Sequence, residues 1–149
     1  MRLDILVNNA AITADSIETI TPEAFDRLIA VNAKAPLFII QRALPLVNDG
    51  GRIINLSTVA TRIAVPEQPY AMSKAAIEVL SRSLAQLVGG RGITVNAVAP
   101  GPTVTDMNPW MLDNPAVQQV VGSGNAIPRA GQPADVAEVV AFLAGEAGR

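Results

Sequence analysis

Three short runs rich in Leu, Ile and Val, LDILVNN (3–9), RIINLS (52–57) and GITVNAVAP (92–100), alternate along the chain with longer stretches of helical spacing. No other feature limits the fold as much, because strand and helix in alternation imply right-handed crossovers and a parallel sheet. Strands of such a sheet are normally covered on both faces, and runs this apolar suit that position. The first intervening stretch, TPEAFDRLIAVNAKAPLFIIQRALPLV (21–47), has Thr21 as N-cap, Pro22 in the first turn, and Phe25, Leu28, Ile29 and Asn32 at helical spacing. It is expected to be one long helix, disturbed near Pro36 because proline lacks a backbone donor. NDGG (48–51) is expected to break the chain before the second strand.

After a loop containing Pro66 and Pro69, a helix is expected from Tyr70 to Val88, with Ala76, Val79, Leu80, Ser83, Leu84 and Leu87 on its inner face and Gly89 and Gly90 closing it. A last helix, DVAEVVAFLAG (135–145), opens at Pro133 and Asp135. The expected fold class is α/β, a doubly wound parallel sheet of about three strands with flanking helices. Two successive crossovers in one direction put both long helices on one face, leaving only the last helix for the other. A sheet this apolar wants more cover than that, so residues 1–149 are expected to be a single but partial domain.

Composition narrows the chemistry. The 149 residues contain no cysteine and no histidine, which removes disulfides, thiolate nucleophiles, histidine triads and most zinc sites, so no metal is expected. A net charge of −2 without a basic patch argues against nucleic acid as a partner. The chain has neither a leader pattern nor an apolar run of about 18 residues, so no membrane partner is expected and a cytoplasmic location is the default. Acid/base work falls to Tyr, Lys or carboxylates.

The chain has one tyrosine, in PYAMSK (69–74), with Lys74 one helical turn beyond Tyr70. By itself the pair is what many unrelated helices carry, a half-buried ring and a solvated cation. As a working pair it has a physical rationale: a free phenol ionises near pH 10, and a cation at i,i+4 favours the phenolate. Lowering the phenol pKa by about 3 units needs roughly 4 kcal/mol, of which one lysine supplies a part. A bound cationic cofactor would be a second source. Ser57 and Thr58 end the second strand at the sheet edge where open α/β folds bind ligands, and the Tyr70 helix starts beyond that edge. Asn32 is an amide inside an apolar helical stretch, either part of a site or a partner for the disturbed backbone before Pro36. APGPTVTD (99–106) leaves the third strand at the same edge, as an ordinary turn or as backbone brought close to a ligand.

Taken together, NNAA (8–11), VNAKAP around Asn32, RIINLST, YAMSK and APGPTVTDM, in this order, resemble the short-chain dehydrogenase/reductase family, whose fold is Rossmann-like. The resemblance implies an oxidoreductase that moves a hydride between NAD or NADP and a small-molecule ketone or secondary alcohol, with a 3-oxoacyl thioester among the candidates. It implies Tyr70 as general acid or base, Lys74 holding the nicotinamide ribose and lowering the tyrosine pKa, a strand-end hydroxyl binding the substrate oxygen, and Asn32 fixing a relay water. It also places Asn8 and Ala10 beside the adenosine ribose, and Pro100, Gly101, Thr103 and Thr105 around the nicotinamide and phosphates. Alignment of the strand end selects Thr58 as the substrate hydroxyl, whereas the family's interval from Tyr70 selects Ser57; both stay open.

Ala11 stands where the family has glycine, and Met1 where it commonly has glycine before Arg-Leu-Asp. The glycine-rich phosphate loop has no counterpart, so the chain is expected to correspond to the family's fourth strand onward and to stop before its seventh. Residues 107–127, with Trp110, Met111 and Leu112, are expected to form a substrate lid, or a surface excursion packing its own apolar side chains. Family members associate through the two long helices, implying a homo-dimer or homo-tetramer, and a truncated chain could act instead as a binding or oligomerisation module without catalysis.

Overall fold

The structure is a computed structural model that describes residues 2–149. Three parallel strands, β1 (Leu3–Asn8), β2 (Val47–Leu56) and β3 (Thr94–Val98), form a sheet in the order β1-β2-β3. Between β1 and β2 run α1 (Pro22–Ile29) and α2 (Ala35–Ala43), and between β2 and β3 runs α3 (Gln68–Val88). α4 (Pro115–Gly122) and α5 (Pro133–Ala144) follow. No helix among the described residues is long and apolar enough to cross a membrane.

The long helices share a face, as the crossover geometry requires. Ile40 and Ala43 of α2 and Leu84 and Val88 of α3 close on Val47 and Ile53 of β2 and on Ile93 in one buried cluster. On the opposite face α5 packs mainly against β2 and β3. β1 therefore departs from the expectation of a strand buried on both sides: Ile5 and Val7 are 45% and 40% exposed. The physical reason is width, since a helix about 10 Å across covers roughly two strands spaced about 4.8 Å apart.

Other boundaries differ for local reasons. NDGG does not break the chain before β2 but lies inside it, with Gly50 at φ +75°. Pairing jumps from Leu3↔Val47 to Ile5↔Arg52, so the extra residues loop out as a bulge and the strand resumes. The long helix is interrupted ahead of Pro36 by a π-helical turn over Ala30–Lys34. α3 begins at Gln68 with Pro69 inside its first turn, where a missing N–H costs nothing. Gly89 caps its end as expected, and a 3-10 turn over Gly89–Arg91 follows, closed by Gly92 in the left-handed conformation (φ +65°).

The inner face of α3 is also rotated from the expected one. Ser73, Lys74, Ile77, Ser81, Leu84 and Val88 are buried, whereas Val79 and Leu87 are exposed. Small hydroxyls can be buried because the helix satisfies them: Ser73 Oγ donates to Tyr70 O and Ser81 Oγ to Ile77 O, each at 2.7 Å.

Candidate active site

The C-terminal ends of β1, β2 and β3 and the start of α3 enclose the site. At its floor Asn8 Nδ2 donates to Asn55 Oδ1 (2.8 Å), and Asn55 Nδ2 donates to Ser81 Oγ (2.9 Å). This amide ladder joins β1, β2 and α3 through the core, and it turns the Asn8 side chain inward. Ala10, in the following loop, is exposed.

Asn32 is 1% exposed and bonds three ways. Its Oδ1 accepts from Ile12 N (2.9 Å), and its Nδ2 donates to Ile12 O (2.8 Å) and Ser73 Oγ (3.0 Å). The side chain thus ties the loop after β1 to α3. The π-helical turn that carries it widens the helix there, a local device that often marks functional positions. Pro36, four residues on, has no N–H to give the Asn32 carbonyl.

Ser57 and Thr58 leave β2 in different directions. Ser57 is 5% exposed and its hydroxyl donates to Glu78 Oε1 (2.8 Å). The Thr58 hydroxyl accepts from Ala60 N (3.3 Å), keeps its proton free to donate, and is the polar neighbour that acts on Tyr70. Ser57 N donates to Val98 O (2.7 Å) and Val59 N to Pro100 O (2.9 Å), which sews this turn to the exit of β3.

Tyr70 and Lys74 project from one face of α3, as their spacing requires. Burial raises the Tyr70 pKa above its ordinary value, and the Thr58 hydroxyl opposes it. The phenol is therefore protonated at neutral pH. Lys74 is 3% exposed, and its Nζ donates to Leu56 O (2.7 Å), clamping α3 to the last residue of β2. Desolvation lowers its pKa from 10.5 to about 8. At pH 7 it remains an ammonium, with one protein acceptor among the described residues.

Past β3, Thr103 pairs with Gly131 in an isolated parallel bridge, Thr103 Oγ1 donates to Gly101 O (3.0 Å), and Thr105 Oγ1 reaches Thr103 O only at 3.5 Å. Gly101 faces open space, since a Cβ there would meet nothing within 4 Å. A cavity of about 480 Å³ runs from Val98–Thr103 to Ile127, Arg129 and Val139. The segment over residues 107–127 holds α4, which its sequence did not announce, and is anchored by Met111 at 0% exposure, while Trp110 is 52% exposed. Asn108 Nδ2 donates to Thr103 O (2.9 Å), joining the segment to the β3 exit.

Glu78 is a member of this neighbourhood that the sequence reading passed over. Tyr70, Lys74 and Glu78 recur at four-residue steps on α3, a pattern that could have drawn attention to it.

Comparison with known proteins adds a second line of observation. The family described as Enoyl-(Acyl carrier protein) reductase matches residues 1–149. The chain is 39% identical to the short-chain dehydrogenase/reductase FrzI of Cladobotryum sp., over 99% of this chain and 60% of that protein. It is 38% identical to 2-(R)-hydroxypropyl-CoM dehydrogenase of Xanthobacter autotrophicus, over 97% and 60%. Among solved structures, angucycline C-6 ketoreductase LanV with bound NADP superposes with a TM-score of 0.90 at 47% identity, covering 99% of this chain and 57% of that one. LugOII, a reductase described as catalysing keto-reduction at C1 during lugdunomycin biosynthesis, gives 0.92 at 46%, covering 99% and 59%. The chain thus spans about three fifths of the length of these relatives.

Proposed function

Since the chain belongs to the short-chain dehydrogenase/reductase family, we propose that it carries the catalytic portion of an NAD(P)-dependent oxidoreductase acting on a ketone or secondary alcohol. What supports this reading is the spacing of Tyr70 and Lys74 one turn apart on α3, with Lys74 Nζ bonded to Leu56 O at the β2 end that also carries Thr58, the polar neighbour that opposes the rise in the Tyr70 pKa.

The residues fit the nicotinamide end of a dinucleotide. Lys74 retains donors for ribose hydroxyls, and Gly101 leaves room beside the β3 exit. In this reading Pro100, Thr103 and Thr105 line the same end and Ala10 faces the adenosine side, while Asn8 holds its strand by way of Asn55. When bound, the nicotinamide supplies or accepts the hydride. Thr58 holds the substrate oxygen by donating its free proton, and Tyr70 transfers its phenolic proton to that oxygen as the carbonyl is reduced. Lys74 stabilises the phenolate left behind. Ser57, whose proton is committed to Glu78, acts as support. Asn32 holds the loop to α3, and a water relay through it would run by way of its main-chain carbonyl. The substrate class in this reading is an apolar ketone or 3-oxoacyl thioester, in keeping with the apolar Trp110–Leu112 run in the segment that follows the β3 exit.

Ketone-dependent NADPH oxidation tests this, measured on the chain as it stands and on a version extended by the glycine-rich strand-turn-helix of a relative. The extended form should turn over, with Tyr70→Phe lowering kcat by about 10²–10⁴-fold while NADPH binding is kept. Retained turnover in Tyr70→Phe would refute the role of Tyr70.

A second reading, association without catalysis, draws on exposed apolar side chains of the two long helices. Leu37, Phe38 and Ile39 are 41–47% exposed, and Met72, Val79 and Leu87 more so. These faces suit a dimer or tetramer formed by copies of this chain. A monomer by sedimentation would count against it.

A further inference from the structure

One carboxylate near the site is outside the proton path described above. Glu78 lies two turns beyond Tyr70 on α3, and its side chain is 12% exposed. Its Oε1 receives the Ser57 hydroxyl at 2.8 Å and the Thr61 hydroxyl at 2.8 Å, while Arg62 Nη2 approaches Oε2 at 3.5 Å. Thr61 Oγ1 also lies 2.9 Å from Thr58 O, so its single proton is shared between the carboxylate and the turn's own backbone. Thr58 sits between the two hydroxyls that Glu78 gathers.

The turn has few other restraints toward α3. Its backbone is bonded to the β3 exit through Ser57 N and Val59 N, which fixes it along the sheet but not against the helix. Against α3, Lys74 Nζ holds Leu56 O just before the turn, and Glu78 holds Ser57 and Thr61 within it. Charge-assisted hydrogen bonds are shorter and stronger than neutral ones, and here two converge on one oxygen. Burial raises the Glu78 pKa, but the Ser57 and Thr61 hydroxyls and the charges of Arg62 and Arg82 outweigh it, so the carboxylate is ionised at neutral pH.

We propose that Glu78 is a positioning residue: its carboxylate gathers the Ser57 and Thr61 hydroxyls, fixes the Ser57–Thr61 turn against α3, and so holds the Thr58 hydroxyl toward Tyr70. This rests on the reading of Tyr70 as the proton donor, yet its test needs no turnover.

Tyr70 is the sole tyrosine, so replacing tyrosine biosynthetically by 3-fluorotyrosine places one fluorine probe at the site. The 19F shift against pH then reads the phenol's titration midpoint, with circular dichroism confirming the fold. Glu78→Leu is expected to raise the midpoint by roughly half a unit through loss of the Thr58 hydrogen bond. Removing a nearby negative charge by itself would lower the midpoint, so the sign separates positioning from simple electrostatics. Thr58→Val, which keeps the carboxylate's charge, should give a rise at least as large, and the double variant no more than Thr58→Val alone. Glu78→Gln, whose Oε1 can accept both hydroxyls, should leave the midpoint at or slightly below that of the parent. An unmoved or lowered midpoint in folded Glu78→Leu overturns the proposal, and so does a rise that adds in full to that of Thr58→Val. If Glu78→Leu does not fold, Ser57→Ala/Thr61→Val removes the same two donors and is read by the same signs. Failure of the catalytic reading would appear separately, as retained turnover in Tyr70→Phe.

Discussion

Lys74 brings a charge into a position with 3% exposure, and the protein bears the cost at neutral pH. Its folded pKa, about 8, lies below the unfolded value near 10.5. Burial of the charged form therefore destabilises the fold fully below pH 8, and the penalty fades as pH rises from about 8 to 10.5. Lys74→Met removes that penalty but leaves Leu56 O without its donor, so the pH trend is the informative quantity. The Tm of the variant relative to the parent should be more favourable at pH 7 than at pH 9.5; scanning calorimetry at both values checks it. Asn32 shows the opposite economy, with a buried amide satisfied on both ends. Asn32→Ala should cost about 2–3 kcal/mol and open the loop after β1 to proteolysis, read by urea titration and limited digestion. Tyr70, Lys74 and Asn32 were legible because their residue types are unusual where they stand. Thr58 and Ser57 were not separable in sequence, because a proton committed to Glu78 is a tertiary fact.

At the scale of elements, strand and helix order could be read from periodicity, but faces and ends could not. α3 buries Ser73 and Ser81 in place of Val79 and Leu87, since a hydroxyl bonded to its own helix packs like a small apolar group. NDGG carries turn residues, yet pairing with β1 absorbs them as a bulge. α4 was missed because its helical stretch is short and lies between turns. Gly122 at its end is required by proximity: a Cβ there would stand 2.6 Å from Arg129 Cα. Gly122→Ala should cost about 1–3 kcal/mol by forcing the backbones apart, measured as a lower midpoint in urea.

For the whole molecule, the open face of β1 matters most. Ile5 and Val7 are exposed, and the far edge of β1 pairs with no strand among the described residues. An apolar strand with a free edge is a template for pairing with another chain. The 149-residue chain should therefore self-associate at micromolar concentration, and Val7→Lys should reduce this, as followed by light scattering. If scattering is equally strong in Val7→Lys, the exposed long-helix faces become the better explanation.

Periodicity and residue type are local properties, so the order of strands and helices, the parallel sheet, and the side chains available for proton chemistry could be read from the chain alone. The expectation of a partial sheet agrees with three strands and one open face. Which strand lacks cover, which face of α3 turns inward, and which strand-end hydroxyl Glu78 engages are outcomes of tertiary packing. Each of these depends on where a distant element comes to rest, on α5 packing mainly against β2 and β3 and on Glu78 reaching back to Ser57 and Thr61.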